Sequence, residues 1–476
     1  EGKQPLLVLA VERGLKIAGM NAFKLLPSLM LTGGVSASVK DPLWKYLWVR
    51  DNEPEAFERA YKWLDVKECL ICRCTGRFVM TPDSANATFL YDTRPSGNGR
   101  NGGSETRART AAQFAAPGGV PADAASTCAP GGVPADAASG CAPGGRGWSD
   151  RLCRLFGVDS AHLPEIIRGD EEAGPLQPGA AAELGLPPGI PVFGGGGDAT
   201  LIALGSGAVR KYDTHLYMGT SGWVSSVVDK RIVDIDSYIA SILGAVPGLY
   251  NYFSEQETSG KCMEWVRDHL ALDEIGVYLD SKPAAADPDQ RNTVLYGLLD
   301  AAIDQVAPGS DGVIFTPWLH GNRSPFEDSS ARGMFFNIGV SAGKRSLVRS
   351  VVEGIGYHNR WQLEAIRKKV PARGPIRFVG GGARSRVTAQ VLADILGEEM
   401  EIPEDPRNSG ALGAAILAVS GLKGLEMNEI LRDLIPPAAV VRPRSEFAEI
   451  YDRGYRVFRN LYWRNKGNFR ALNGGR

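Results

Sequence analysis

Gly194-Gly195-Gly196-Gly197-Asp198-Ala199-Thr200 is the stretch whose reading decides the fold. It follows an apolar, strand-like run, Ile190 to Phe193, and precedes an apolar, helix-like run, Ala199 to Ala203. Glycine permits φ > 0 and lets a ligand or another chain come close to the backbone. The pattern reads as a strand that ends in a glycine turn and delivers the Asp198 carboxylate to the mouth of a cleft. Taken alone, a glycine run also reads as a linker. What separates the two readings is whether similar turns recur at other strand ends.

They recur twice. Thr214 to Met218 reads as a strand, Gly219-Thr220-Ser221-Gly222 as a tight turn, and Trp223 to Val228 as the returning strand of a hairpin. Ile376 to Val379 reads as a strand that ends at Gly380-Gly381-Gly382. A helix follows it, with Val387, Val391, Leu392, Ile395 and Leu396 on one side. Tight glycine turns aim successive backbone N–H groups at one point and so favour an anion. Thr220 and Ser221 add two hydroxyl donors, and the third turn opens a helix whose N-terminus also favours anions. Three such turns and one carboxylate point to nucleotide-dependent chemistry. Other routes to it are excluded by motif. No GxxxxGK[ST] string is present, which rules out a P-loop. No GxGxxG opens a βαβ unit with an acidic residue about 20 positions on, which argues against a dinucleotide-binding dehydrogenase. No GxSxG elbow occurs, and five histidines are too scattered for a zinc hydrolase.

The composition is that of an ordinary soluble protein. The 476 residues suffice for two or three domains, with 43% hydrophobic and 22% charged side chains. Lys and Arg number 53 against 54 Asp and Glu, a net charge of −1 that gives no reason to expect a nucleic-acid or membrane partner. No apolar run approaches the roughly 20 residues of a membrane span, and Leu6 to Val11 is too short for a signal peptide. Seven cysteines, an odd and low count, argue against a disulfide framework. Cys69, Cys72 and Cys74 lie on a helix-like segment with no second Cys/His pair at zinc spacing, so they read as ordinary thiols. A reducing cytoplasm is the expected location.

Along the chain, helix-like stretches run from Asn21 to Leu31 and, in pieces, from Lys40 to Gly76, with a helix start at Glu53-Pro54-Glu55. Leu43, Tyr46, Leu47 and Val49, with Trp48, form an apolar face. Arg77 to Tyr91 reads as an extended entry, a turn at Thr81-Pro82-Asp83-Ser84 and a second helix. Residues 94–147 break character. Ala116 to Cys128 (APGGVPADAASTC) repeats almost unchanged as Ala129 to Cys141 (APGGVPADAASGC). These repeats hold too few large apolar side chains for a core and read as a disordered insertion. Asp150 to Phe156 reads as a short helix. The main boundary falls near residue 190, giving an N-terminal part, 1–190, and a C-terminal part, 191–476. The latter alternates strands and helices. Helices are expected at Ser259 to Leu270, Leu347 to Ile366 and Ala411 to Val419. A strand at Gly312 to Thr316 enters the loop Pro317 to Pro325.

Together these strings resemble the FGGY family of sugar kinases, most closely its xylulokinase-like members. The matching segments are GGGGDAT (194–200), YMGTSGW (217–223), TPWLHGNRSP (316–325), ARG (331–333), EG (353–354), GGGARSRVTAQVLADILG (380–397) and the run from Ile402 to Ala418. WKYLW, LDVK and TGRF extend the likeness over Lys40 to Asp92. The resemblance implies a two-domain α/β fold of the actin-like (ribonuclease H-like) type, with a cleft between the domains and the first domain incomplete. It implies ATP as phosphate donor, Mg2+ bridging phosphate oxygens, and a sugar as acceptor. Asp198 matches the general base that takes the proton of the substrate hydroxyl. Gly219, Thr220 and Ser221 match a phosphate loop, Gly260 a position beside the nucleotide, and Gly381, Gly382 and Ala383 the adenosine site. No protein metal ligand is implied. D-Xylulose is the first choice of acceptor, with another ketose or a polyol such as glycerol second. Ala199, after the base, offers a sugar no polar contact.

Family members also carry an early D-x-G-T-like phosphate loop, and residues 1–60 contain none. By alignment of the matching strings, about a hundred residues of a full member, most of a lobe, are expected to be missing. A second expectation therefore stands beside the kinase: an inactive descendant that binds a nucleotide or a partner. A homodimer is the expected assembly. Several tempting residues read as structural. Arg323 is expected in an ion pair to a neighbour such as Glu327, Trp318 in packing, Gln390 and Asp394 on the surface or capping, and Lys45 exposed on a helix.

Overall fold

The computed structural model describes residues 22–34, 41–94, 146–271, 288–425, 427 and 439–474. Backbone contacts divide the chain into two compact units, Pro27–Gly194 and Gly195–Arg476, the latter together with Glu1–Leu26.

The first described helix, α1 (Ala22–Thr32), is followed by α2 (Pro42–Asn52), α3 (Pro54–Glu58) and α4 (Val66–Thr75). Proline at the first turn starts α2 and α3, where a missing N–H costs nothing. The Asp65 side chain accepts from Val66 N to cap α4, and Gly76, at φ 76°, ends it in the left-handed region. Leu43 and Tyr46 of α2 are buried, whereas Trp48 is 56% exposed and leaves the expected apolar face. Strand β1 (Val79–Met80) leads into α5 (Pro82–Ala87). Thr81-Pro82-Asp83-Ser84 is thus the first turn of that helix rather than a free turn. Strand β2 (Tyr91–Asp92) pairs antiparallel with β3 (Gly147–Trp148), and Arg146 N donates to Asp92 O at 2.8 Å. The expected insertion therefore ends before Gly147, which is a strand residue. Its two 13-residue repeats lie outside the described residues.

Ser149 caps α6 (Asp150–Phe156) by accepting from Leu152 N. Strand β4 (Glu165–Ile166) runs parallel to β1, and β5 (Glu172–Pro175) enters α7 (Pro178–Leu184). Strand β6 (Pro191–Phe193) pairs antiparallel with β5. That pairing holds β6 in the first unit, whose last residue is Gly194. Ile71, Val79, Ile167 and Ala173 form a small core here.

In the second unit, α8 (Asp198–Gly205) follows the glycine run directly. The strands β7 (Thr214–Met218), β8 (Gly222–Val228), β9 (Val233–Asp234), β10 (Ile239–Leu243) and β11 (Tyr250–Gln256) come next, and then α9 (Gly260–Val266). The helix expected through Leu270 continues as one wide π turn, Arg267–Ala271. After α10 (Pro288–Asp304) come β12 (Ile314–Thr316), β13 (Met334–Phe336), α11 (Lys344–Arg367), β14 (Ile376–Val379), α12 (Arg386–Leu396), β15 (Met400–Ile402), α13 (Ser409–Lys423), β16 (Ala439–Val441) and α14 (Ala448–Asn473). Eight strands form one sheet in the order β16-β15-β14-β7-β8-β11-β10-β9. Strand β14 is parallel to both β7 and β15, and the other pairs are antiparallel.

Small residues bring helices close. A Cβ at Gly205 would overlap Ser409 O and one at Gly413 would overlap Leu201 O, so α8 and α13 pack backbone to backbone. Leu204, Val209, Ile416, Leu417 and Met427 fill the core beside them. The Glu353-Gly354 pair has a structural explanation. A Cβ at Gly354 would overlap Phe315 O, so glycine lets α11 lie against β12. Glu353 is buried. It accepts from Gly309 N at 2.9 Å, Ser310 Oγ at 2.7 Å, Arg349 Nε at 2.8 Å and Tyr451 Oη at 3.3 Å.

Candidate active site

The register of three neighbouring strands builds the site. Tyr217 on β7 lies opposite Trp223 on β8, and Trp223 lies opposite Glu255 on β11. Cross-strand partners share a sheet face, so these three side chains form a row. Tyr217 stacks on Trp223 with ring centroids 4.0 Å apart, and Phe253 leans on Trp223 at 5.3 Å. Trp223 Nε1 donates to His215 Nε2 at 3.0 Å, which leaves the ring proton on Nδ1. His215 is fully buried, and burial pushes it down to about 3, so it is a neutral anchor for the row. Ala199 and Ile202 of α8 pack against the same aromatic group. Asp198 therefore sits at the start of a helix laid on this face.

Asp198 is exposed, and its Oδ1 accepts from Ala199 N at 2.7 Å. A carboxylate at this end of a helix interacts favourably with the helix dipole. Its charge reaches the row. Tyr217 is held above the usual phenol range by burial and then by Asp198. Glu255 is raised chiefly by burial, with Glu257 and Asp198 adding to the effect against the Arg323 charge.

The β7–β8 turn lies next to the row. Gly219 N donates to Ser221 O at 3.0 Å. Gly260 N donates to Gly219 O at 2.7 Å, while Ser259 N and Lys261 N donate to Thr220 O at 3.0 and 3.1 Å. The start of α9 is thereby tied to the turn through the carbonyls of Gly219 and Thr220. A Cβ at Gly260 would overlap Gly219 O, which explains glycine there. Among the described residues, nothing accepts from the amides or hydroxyls of Thr220 and Ser221. Ser259 Oγ is buried and has no hydrogen-bond partner among the described residues.

The third glycine turn meets the same place. Gly380 has φ 95°, and its N donates to Pro406 O at 2.8 Å. A Cβ there would lie 2.6 Å from Met218 O and 2.9 Å from Tyr217 Cε2. A Cβ at Gly382 would lie 2.5 Å from Met218 Sδ. Gly381 is exposed with open space around it, and Ala383 is buried. Ser385 caps α12 by accepting from Thr388 N, and it donates to Asp300 Oδ1 at 2.7 Å. Gly219, Thr220, Ser221, Gly260, Gly381, Gly382 and Ala383 thus gather around Met218 and the turn that follows it. Asp198 lies on the neighbouring helix. Among the described residues, no group of three or more His, Cys, Asp or Glu side chains could hold a metal ion.

Two expectations are corrected. Arg323 pairs with Glu255 at 2.8 Å and with Glu257 at 2.7 Å, not with Glu327. The loop places its guanidinium against β11, where two carboxylates are available. Asp394 is a buried residue, not a surface one. It accepts from Arg444 Nη2 at 2.7 Å and from Gln390 Nε2 at 2.8 Å, which ties α12 to the segment before α14. Trp318 is fully buried among Phe326, Phe458 and Tyr462, and Lys45 is exposed on α2. Sequence reasoning missed Tyr217, Glu255 and Glu257. Their only signal was the alternation within the β7–β8 hairpin and β11, whose pairing is not written in either segment.

The sheet, its flanking helices and the gathered glycine turns define an actin-like two-domain sugar-kinase fold. The model for the C-terminal domain of the FGGY family of carbohydrate kinases matches residues 215–422, and the N-terminal model matches 145–205. The chain belongs to the FGGY family of carbohydrate kinases. It is 26% identical to the xylulose kinase of Escherichia coli over 419 residues, 88% of this chain and 72% of that one. It is 28% identical to the gluconokinase of Bacillus licheniformis over 423 residues, 88% and 70% of the two chains. The crystal structure of ligand-bound xylulose kinase from Lactobacillus acidophilus shares the fold, with a TM-score of 0.72 at 20% identity over 98% of this chain and 79% of that one. No helix among the described residues is long and apolar enough to cross a membrane.

Proposed function

We propose that this chain transfers the γ-phosphoryl group of ATP to a hydroxyl of a neutral ketose, D-xylulose in the first instance, with Asp198 as general base. The observation that carries this reading is the gathering of two glycine turns, Gly219–Gly222 and Gly380–Gly382, around Met218, beside the helix that begins with Asp198. In this reading the free amides and hydroxyls of Thr220 and Ser221 hold the phosphate chain. Gly260 lies beside the nucleotide, and Gly381, Gly382 and Ala383 line the adenosine. Magnesium entering with the phosphates would supply neutralising charge. Asp198 takes the proton as the acceptor oxygen attacks, since phosphoryl transfer depends chiefly on positioning and charge stabilisation.

The relatives include kinases of a neutral sugar and of a sugar acid. Glu255 and Glu257 both pair with Arg323, and Glu255 also feels the charge of Asp198. The carboxylate of a sugar acid beside Asp198 would be repelled by it, and a neutral ketose or polyol would not. The test is ADP release with ATP, Mg2+ and, in turn, D-xylulose, glycerol and D-gluconate. D-Xylulose is expected to give the highest kcat/KM, and Asp198→Asn to lower kcat by about 10²–10⁴-fold, the usual contribution of a general base. Faster turnover of gluconate would overturn the substrate assignment. Nucleotide binding with no turnover of any sugar would leave the inactive descendant standing instead.

A further inference from the structure

Tyr217 stands where the Gly219–Gly222 and Gly380–Gly382 turns meet, and nothing in the scheme above uses it. A Cβ at Gly219 would overlap its hydroxyl, and a Cβ at Gly380 would press on its ring. Two glycines, one from each proposed nucleotide turn, therefore make room for this one side chain. The ring is fixed from the other side by the Trp223 stack, itself anchored on buried His215. The hydroxyl lies over Gly219 and makes no hydrogen bond to any described residue. Tyr217 is only half-buried, so this oxygen is open to a ligand. An aromatic hydroxyl held rigidly and left without a partner is a pre-organised donor.

Resting on the kinase reading, we propose that the Tyr217 hydroxyl donates a hydrogen bond to the phosphoryl group in flight between ATP and the acceptor, which makes Tyr217 a catalytic residue. The acceptor oxygen forms its bond to phosphorus as the bond to the β-phosphate oxygen breaks, and ADP leaves with that electron pair. The acceptor proton passes to Asp198. Tyr217 keeps its own proton throughout and contributes only the hydrogen bond. Burial and the neighbouring Asp198 charge both favour the neutral phenol, so the donor persists across the working pH range.

Tyr217→Phe keeps the ring and its stack and removes the donor alone. The measurement is calorimetric binding of MgADP and of the magnesium complex of β,γ-imido-ATP to the full chain, wild type and variant, with kcat and KM beside it. The imido analogue, which carries the γ-phosphoryl group, is expected to lose about tenfold in affinity, the size of a hydrogen bond to a charged group, with ADP unchanged. The kcat is expected to fall about 10²-fold, as for removal of one donor to a transition-state oxygen, with the sugar KM within twofold. Equal loss for both nucleotides would assign Tyr217 a structural role and overturn the proposal, as would unchanged binding of the imido analogue. If the wild type binds both nucleotides and phosphorylates no sugar, the kinase reading fails while the nucleotide comparison still decides the contact made by Tyr217.

Discussion

The two units are held in shape by different means. In Gly195–Arg476 long strand registers do the positioning. Strands β8 and β11 are paired continuously from Gly222 with Gln256 to Val228 with Tyr250, and that register places Trp223 beside Glu255. In Pro27–Gly194 the described ladders are short, such as Val79–Met80 against Glu165–Ile166. Long side chains there bond to distant main chain instead. Lys62 Nζ donates to Ala161 O and Leu163 O, Arg50 Nη1 to Gly157 O, and Lys67 Nζ to Gly194 O. Tyr46 Oη meets His162 Nδ1 at 2.8 Å. A register fixes many side chains at once, whereas a side-chain tether fixes one loop. The gathered site residues lie in the unit that has the registers.

The sharpest way to break this contrast is to remove a buried charge from the second unit. Glu353→Ala leaves Arg349, itself buried, without its carboxylate, and should cost about 3–5 kcal/mol. Hydrogen exchange should rise in peptides from α11 and α14, which Glu353 joins, while peptides of 41–94 keep their protection. A rise of equal size in both units would remove the contrast.

Acid offers a milder test. His215 and His358 are fully buried, and burial holds them at about 3 and about 4. Both are neutral when folded, but in the unfolded chain they regain an ordinary value of about 6.5 and take up protons as the pH falls. The unfolded state then binds more protons, so stability is lost from about pH 6.5 downward, towards the folded values. At pH 5 the loss is about 2 kcal/mol for each histidine. Denaturant midpoints measured between pH 7 and pH 5 should show this slope, and His358→Gln should reduce it. A variant with the wild-type slope would show that His358 takes no part. The smallest effect belongs to the first unit. The Arg73–Glu183 pair is exposed on both sides, and Arg73→Ala should change stability by no more than about 1 kcal/mol, read from the same denaturant curves.

Much of the fold was legible because its signals are local. Thr214 to Met218 and Ile376 to Val379 read as strands and are strands with the expected ends, and Asp150 to Phe156 is the expected helix. Proline and glycine punctuate the chain strongly enough to show where such elements stop. Boundaries that depend on a partner were less legible. Strand β6 belongs to the first unit because Glu172–Pro175 pairs with it, and Gly147 is a strand residue because Asp92 lies beside it. The partner of Arg323 was misjudged for the same reason. Glu327 is near in sequence, but Glu255 and Glu257 are near in space.

By itself the sequence determined the family, the alternation of strands and helices, and the three glycine turns with Asp198. Each of these is carried by residue type at short spacing, which is where backbone conformational preference acts. Only the tertiary structure decided that two of the turns, Gly219–Gly222 and Gly380–Gly382, gather on Met218 and that Tyr217, Trp223 and Glu255 form one row. Neighbours in a sheet are set by strand order and register, and a slip of one residue in any of the three strands would turn its side chain to the other face and out of the row.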